Sequence, residues 1–229
     1  MALDFIFMLT RNDRTVADPL QYLPAARDAG VRHIGFKNIG LTGAELVTLN
    51  QAIKALGATS YLEVVSLDQA SEMASAQAAV KAGVDCFLGG VHVDAVLPVL
   101  AGSGVRYFPF PGHITGHPSV LEGSLVEIVA SAEKLAARDG VHGLDLLAYR
   151  SSLPVPELVQ AVCTRINKPV IVAGSITGPQ QISAIAKAGA AGFTIGSAVL
   201  EGRFPAASTD VASQLNAVMA TISGWHFSA

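Results

Sequence analysis

Residues 168–204, KPVIVAGSITGPQQISAIAKAGAAGFTIGSAVLEGRF, decide how the rest of the chain is interpreted. The stretch contains two apolar runs, and each run ends in a turn of small residues. Strand ends that lack bulky side chains and lead into helices offer converging backbone N–H groups, which favour an anion. The alternative is that the glycines serve only tight strand-to-helix turns. We predict a phosphate site formed by Gly174, Ser175, Ile176, Gly196 and Ser197.

A helix is predicted between the two apolar runs. Thr177 and Gln180 have the spacing of a capping box, and Pro179 occupies an early helical position that needs no N–H group. The helix is expected to run to Lys187 and to stop at Gly189, which suits a left-handed terminating residue. This order of elements is typical of the last two units of a parallel α/β barrel, whose final loops often bind phosphate.

The same strand-and-helix unit recurs along the whole chain. Apolar runs that mostly follow helix-ending glycines predict strands starting near residues 3, 31, 59, 84, 105, 141, 168 and 191. Thr42 with Glu45, and Ser124 with Glu127, predict capping boxes for the second and fifth helices. Eight alternating units favour a closed (β/α)8 TIM barrel over an open sheet of about five or six strands. We predict a single barrel domain over residues 1–229.

Composition narrows the class of protein. Of the 229 residues, 51% are apolar and 14% are charged, which suits buried parallel strands or a helix layer partly covered by another subunit. The net charge of −3 argues against a nucleic-acid partner. The sequence has no apolar run of about 20 residues and no basic region of a signal peptide at its start. We therefore expect a cytoplasmic protein without a membrane partner, and the low charge favours a homo-oligomer.

Two charged residues are predicted to lie inside the barrel at one end. Active sites of this fold form at the carboxyl ends of the strands. Alternation along the neighbouring second and third strands directs Lys37 and Glu63 inward. A carboxylate that removes a proton next to a carbonyl, beside a cation that stabilises the enolate oxygen, is a workable isomerase arrangement. The alternative is an ion pair with only a structural role.

Further candidates follow strands 4, 5 and 6. The longest interval contains PFPGHITGHPSVLEGS and predicts a loop over the carboxyl end of the barrel. Arg150 suits bidentate contact with a phosphate or carboxylate, or else pairs with a surface acid. We predict that His113 assists catalysis and that the substrate is contacted by His92, His117, Tyr149 and Arg150.

We expect mainly structural roles for the remaining histidines, acids and cysteines. Gly116 and Pro118 prevent His113 and His117 from sharing a helical face, and two cysteines are too few for a thiolate site, so we predict no metal. Asp145 is expected to be buried and hydrogen-bonded, with a second acid–base role as the alternative. Structural roles are expected for His33, His142 and His226.

The tail of the sequence resembles the phosphate-binding (β/α)8-barrel superfamily. The matching segments are VAGSI (172–176), KAGAAG and FTIGSAVLEG (193–202), which together cover about the last fifth of the chain. Members include N-acylmannosamine-6-phosphate 2-epimerase, ribulose-phosphate 3-epimerase and a glycerol-3-phosphate-responsive antiterminator. The middle, from GHITGHPSVLEGS to LDLLAYRSS, resembles uncharacterised barrels from bacterial sugar-utilisation operons. The resemblance implies a phosphorylated small molecule as the ligand.

The sequence departs from the better-known members in its reactive residues. Class I aldolases of similar build place a Schiff-base lysine on strand 6, where this chain reads Leu-Ala-Tyr-Arg. The acylmannosamine-phosphate epimerases also pair a lysine with a glutamate, but their glutamate lies on a later strand. The resemblance therefore supports the class of substrate better than the reaction.

These observations predict an isomerase or epimerase of a small phosphorylated sugar or polyol derivative. Glu63 would move the proton and Lys37 would stabilise the enolate, so the scheme requires no cofactor. One alternative is a sugar-phosphate aldolase or lyase that uses Lys37 as a Schiff-base amine. Another is a non-catalytic sensor that binds a sugar phosphate and regulates a partner.

Overall fold

Eight parallel strands form a nearly closed barrel in the computed structural model, which describes residues 3–223. The strands are β1 Asp4–Met8, β2 His33–Lys37, β3 Thr59–Glu63, β4 Cys86–Leu88, β5 Arg106–Phe108, β6 Leu144–Leu146, β7 Val170–Val172 and β8 Gly192–Ile195. Their hydrogen-bonded order is β6-β7-β8-β1-β2-β3-β4-β5. Strand β5 meets the segment that leads into β6 through a bridge between Tyr107 and Val141 and a 2.8 Å bond from His142 N to Tyr107 O. The (β/α)8 prediction is confirmed.

Helices follow each strand and cover the outside of the barrel. Short 3₁₀ turns at Pro19–Tyr22 and Ala148–Arg150 precede the first and sixth helices. The α-helices are α1 Leu23–Asp28, α2 Gly43–Ala55, α3 Gln69–Ala82, α4 Val93–Leu100, α5 Leu125–Ala136, α6 Val155–Arg165, α7 Pro179–Lys187, α8 Ser197–Leu200 and α9 Val211–Ser223.

Two of the three predicted capping boxes are present in the structure. The capping boxes of α2 and α5 are both present, with Thr42 and Ser124 as the N-caps. The box predicted for α7 from Thr177 and Gln180 is wrong, because Gly178 is the N-cap and makes no side-chain bond. Gln181 takes the role expected of Gln180, and its Oε1 accepts from Thr177 N at 2.7 Å.

Two short β-hairpins follow the carboxyl ends of β1 and β5. The first pairs Thr10–Arg11 with Arg14–Thr15 through a two-residue turn, Asn12 and Asp13, with φ of 49° and 56°. Two left-handed residues make the turn type that suits a tight hairpin, and Asn and Asp tolerate it. The second pairs His113–Thr115 with Val120–Glu122 and forms the long loop predicted after strand 5.

Both faces of the barrel strands are buried, which explains the high apolar content. One apolar layer lies between strands and helices, and a smaller cluster fills the barrel interior. Within residues 3–223 no helix is long and apolar enough to cross a membrane. His226 lies outside the described residues. The interior cluster consists of Ile6, Met8, Tyr61, Cys86, Leu88, Phe108 and Ile171.

Candidate functional site

A cavity of about 240 Å³ opens at the carboxyl end of the barrel strands, and we call it the mouth cavity. A charged group of Asp13, Lys37, Glu63 and Arg150 lines it together with the segments 174–177 and 196–198. Its volume lies below the roughly 300–1,000 Å³ of typical ligand pockets. The mouth cavity therefore fits a small ligand and offers it both charged side chains and small-residue turns.

Lys37 lies at the centre of the charged group. Its Nζ is 2.7 Å from Asp13 Oδ1 and 3.4 Å from Glu63 Oε1. The three side chains are at most 11% exposed, so these ion pairs are poorly screened by solvent. Lys37 and Glu63 stand directly opposite each other in the β2–β3 register, at the last residue of each strand. The alternation argument thus placed both side chains correctly.

The first hairpin brings Asp13 over Lys37. Thr15 Oγ1 donates to Lys37 O at 2.7 Å and accepts from Lys37 N at 2.8 Å, so the hairpin is fastened to the end of β2. Arg150 Nη2 lies 3.6 Å from the same oxygen, Asp13 Oδ1, that contacts Lys37. Asp13 therefore joins two cations of the mouth cavity, Lys37 and Arg150.

The ion pairs keep the group charged. Burial alone would lower the pKa of Lys37, but the carboxylates of Glu63 and Asp13 outweigh it and raise that pKa. Burial alone would raise the pKa of Asp13, but Lys37 outweighs it through charge and hydrogen bonding, and the pKa falls. Lys37 is thus a fixed ammonium, suited to stabilising a negative oxygen.

Asp145 corrects an expectation from the sequence. It is fully buried as expected, but neither carboxylate oxygen has a hydrogen-bond partner among the described residues. Burial raises its pKa well above the usual range, and the charge of Glu63 raises it further, against the opposing effects of Lys37 and Arg150. Burial therefore favours the neutral form of Asp145.

The turns after β7 and β8 form the other side of the mouth cavity. Ser175 has a φ of 45°, a left-handed conformation that is uncommon for serine. Among residues 3–223 no acceptor takes a hydrogen bond from the backbone N–H groups of Ser175, Ile176 or Ser197. Arg203 also lines the cavity, and its Nε is 2.8 Å from Glu201 Oε2. Uncommitted N–H groups beside a cation suit an anionic oxygen group.

Close packing explains why one of these turns contains glycine. A Cβ at Gly196 would lie 2.8 Å from Thr10 Oγ1 and 2.9 Å from the carbonyl oxygen of Met8. We therefore expect Gly196→Ala to shift the turn and to weaken binding of inorganic phosphate about tenfold or more, ~1.4 kcal/mol. Isothermal titration calorimetry measures this change.

Gly43→Ala is the matched control for that variant. A Cβ at Gly43, in the first turn of α2, meets nothing within 4 Å. Its phosphate affinity should equal that of the wild type. Equal affinities for the wild type and Gly196→Ala would show that phosphate does not use this turn.

The structure does not bring every candidate to the mouth cavity. His113 is exposed on the second hairpin and lines a different depression, with Glu122 and Ser131. His92 Nε2 is 3.0 Å from Leu67 O, outside the barrel mouth. Tyr149 donates its hydroxyl to Gln181 O at 3.1 Å and so supports the start of α7. These three side chains do not line the mouth cavity, because local hydrogen bonds and hairpin pairing direct them elsewhere.

His117 occupies an intermediate position. It lies at the turn of the second hairpin, where it is exposed, and its charge acts on Asp13. It does not line the mouth cavity, whereas its neighbour Pro118 does. Within residues 3–223 no three His, Cys, Asp or Glu side chains form a group that could hold a metal ion.

The sequence predictions did not include several residues of the mouth cavity. Among them are the polar residues Asp13, Thr194 and Arg203. The Asn12-Asp13 pair between two short β-prone segments is a hairpin signal that identifies the position of Asp13. Arg203 follows α8 within an irregular segment, and its position depends on tertiary packing rather than on a local pattern.

Comparisons with known proteins agree with the fold. Neither a scan of protein-family models nor a search of curated proteins found a match. Solved structures that resemble this chain include thiamine phosphate pyrophosphorylase from Pyrococcus furiosus, at 14% identity and a TM-score of 0.66 over 97% of this chain and 96% of that one.

Two further structures show a similar likeness. Orotidine 5'-phosphate decarboxylase from Pyrococcus horikoshii has 14% identity and a TM-score of 0.68 over 96% of this chain and 99% of its own. Phosphoribosyl anthranilate isomerase from Thermus thermophilus has 14% identity and a TM-score of 0.63 over 98% of this chain and 100% of its own. At such identities the likeness establishes the TIM-barrel fold alone.

Proposed function

We propose that this protein is an isomerase or epimerase of a small phosphorylated sugar or polyol derivative. The observation that carries the proposal is the Lys37–Glu63 pair, 3.4 Å apart, in the same cavity as the turns after β7 and β8. The names of three structural neighbours contain a phosphorylated compound, which is consistent with a phosphate at those turns. The cavity volume favours a small substrate.

In the proposed reaction, one side of the mouth cavity binds the phosphate and the other side transfers the proton. The phosphate is held by the N–H groups of Ser175, Ile176 and Ser197 and by Arg203. Glu63 takes a proton from the carbon next to the carbonyl, and the electron pair of the C–H bond moves to the carbonyl oxygen. Lys37 stabilises that oxygen, and Asp13 keeps Lys37 in place and charged. Return of the proton to a different carbon or face gives the product.

The contacts of Lys37 favour this role over a Schiff base. A Schiff base needs the neutral amine, whereas Asp13 and Glu63 raise the pKa of Lys37 and hold it as the ammonium. We therefore expect no trapped adduct when the protein is reduced with borohydride in the presence of ketose phosphates. A mass increase located on Lys37 would support the aldolase instead.

Product analysis tests the proposal directly. The protein is incubated with a panel of small ketose and aldose phosphates, and the products are separated by chromatography and weighed by mass spectrometry. We expect an isomer or epimer of unchanged mass from at least one compound. Cleavage into two smaller carbonyl compounds would point to the lyase, and saturable binding without any product would point to the sensor.

A further inference from the structure

Thr194 is a buried hydroxyl residue of the mouth cavity that the proposed reaction leaves unused. It stands opposite Ile6 in the β1–β8 register, and Ile6 belongs to the apolar cluster inside the barrel. Its neighbours along β8, Phe193 and Ile195, belong instead to the layer between strands and helices. Alternation along the strand therefore directs Thr194 into the barrel, where its side chain lines the mouth cavity.

The hydroxyl of Thr194 has no partner in the protein. The residue is 7% exposed, and its Oγ1 takes part in no hydrogen bond within residues 3–223. The enclosed side-chain atoms that lack a partner belong to Asn38, Asn50 and Asp145, so the Thr194 hydroxyl faces the open space of the cavity. Buried polar groups normally have a hydrogen-bond partner. A ligand in the mouth cavity is the partner that this position offers.

Thr194 shares the mouth cavity with the reactive pair and lies at the same end of the barrel. Among the residues that line the cavity, Lys37, Glu63 and Thr194 are the polar ones that lie on barrel strands. The other hydroxyl side chains of the cavity lie beyond the ends of these strands, and they are Thr10, Ser175, Thr177 and Ser197. Thr194 is therefore placed to contact the reacting part of a ligand.

Thr194 lies deeper in the barrel than the proposed phosphate turn. Gly196 is two positions further along the chain, and a strand rises about 3.3 Å per residue, so the two residues are roughly 6.6 Å apart along β8. A ligand whose phosphate binds at Gly196 and Ser197 therefore brings its carbon chain, rather than its phosphate, to Thr194. A neutral hydroxyl group both donates and accepts, which suits a hydroxyl group on that chain.

We propose that Thr194 is a specificity-determining residue, whose hydroxyl binds a hydroxyl group on the carbon chain of the substrate. The inference rests on the proposed function for the reaction, and it narrows the substrate to a polyhydroxylated sugar or polyol phosphate. A phosphorylated compound that lacks this hydroxyl leaves Thr194 unpaired and binds more weakly. Compounds without a carbonyl group test the contact without turnover.

Isothermal titration calorimetry with matched pairs of phosphates measures the contact. The pairs are glycerol 3-phosphate with propyl phosphate, erythritol 4-phosphate with butyl phosphate, and ribitol 5-phosphate with pentyl phosphate. For at least one pair, the preference for the hydroxylated compound should be about three- to tenfold smaller in Thr194→Val than in the wild type, the usual contribution of one neutral hydrogen bond. The affinity for inorganic phosphate should stay the same. A preference that is unchanged at all three chain lengths would overturn the proposal.

Thr194→Ser is the matched variant, because it keeps the hydroxyl and removes only the methyl group. It should retain the preference of the wild type for the hydroxylated compound. If Thr194→Ser and Thr194→Val lost this preference equally, the methyl group rather than the hydroxyl would be responsible, and the proposal would be wrong.

The stability of Thr194→Val separates ligand binding from a structural role. Valine has nearly the shape of threonine, and the hydroxyl that it removes has no partner within residues 3–223. The free energy of unfolding should therefore stay the same or rise. Chemical denaturation measures it. A lower free energy of unfolding would assign the hydroxyl to the fold and would contradict the proposal.

Turnover distinguishes a failure of this inference from a failure of the proposed function. With a sugar phosphate that the wild type isomerises, Thr194→Val should lower kcat/KM about three- to tenfold. Thr48→Val, on the exposed side of α2, should match the wild type. Isomerisation with an unchanged hydroxyl preference would refute the role of Thr194 alone. A hydroxyl preference that depends on Thr194, without any isomerised product, would refute the proposed reaction and support the contact.

Discussion

Glu63→Gln should lower the turnover of the phosphorylated substrate by about 10²- to 10⁴-fold, the usual contribution of a general base. Glutamine keeps the size of the side chain but has no site of suitable basicity for the proton. Binding should change only a few-fold, because the proposed phosphate contacts belong to the turns after β7 and β8, which also line the mouth cavity. Steady-state kinetics and calorimetry separate the two effects.

Glu122→Gln is the control for this experiment. Glu122 is exposed at the end of the second hairpin, away from the mouth cavity, and should be replaceable without loss of rate. The account of Glu63 is wrong if its variant turns over at the wild-type rate. It is also wrong if the variant loses affinity while its kcat is retained.

Lys37→Met should destabilise the protein at neutral pH by about 3–5 kcal/mol, the cost of removing one member of a buried ion pair. Glu63 would remain as a buried carboxylate without its cation, and Asp13 would keep only the longer contact with Arg150. The same variant should also lose activity, since no other lysine within residues 3–223 pairs with Asp13 or Glu63. Chemical denaturation measures the free energy of unfolding.

The stability that Lys37→Met loses should depend on pH. In the wild type Lys37 lowers the pKa of Asp13 in the folded protein. The ionised Asp13 therefore stabilises the fold above the pKa of an unfolded aspartate, about 3.9. This stabilisation is lost as the pH falls through the pKa of Asp13 in the folded protein. In Lys37→Met burial would raise the pKa of Asp13 against only the charges of Arg150 and His117. The difference from the wild type should therefore be largest near neutrality and should shrink below about pH 4.

Lys81→Met provides the comparison for stability. Lys81 is exposed in the last turn of α3 and makes no ion pair among residues 3–223, so its replacement should change stability by less than about 0.5 kcal/mol. If Lys37→Met lost the same stability at every pH, the loss would reflect packing rather than charge.

The fold and the small-residue turns after β7 and β8 were predictable because their signals are local. Glycines that end helices, capping residues and apolar runs recur with the strand–helix unit, and inward alternation fixes Lys37 and Glu63 without knowledge of the partner strands. Lys37 and Glu63 lie at the last positions of β2 and β3, where one register places them opposite each other.

The remainder of the candidate site depends on tertiary structure. Asp13 reaches Lys37 because a hairpin folds back over the end of β2, although the Asn-Asp turn was readable in the sequence. Asp145 was predicted to be buried, but its lack of partners depends on every element around it. The position of His113 outside the mouth cavity was not predictable, because a loop sequence does not reveal which way a short hairpin turns its side chains.

Proton exchange at the substrate carbon tests the central claim most directly. The wild-type protein is incubated in D₂O with small ketose and aldose phosphates and with the corresponding unphosphorylated sugars, and proton NMR follows the carbon next to the carbonyl. The account predicts deuterium incorporation into at least one phosphorylated compound and far slower incorporation into its unphosphorylated form. Saturable binding of a sugar phosphate without any deuterium incorporation would contradict it.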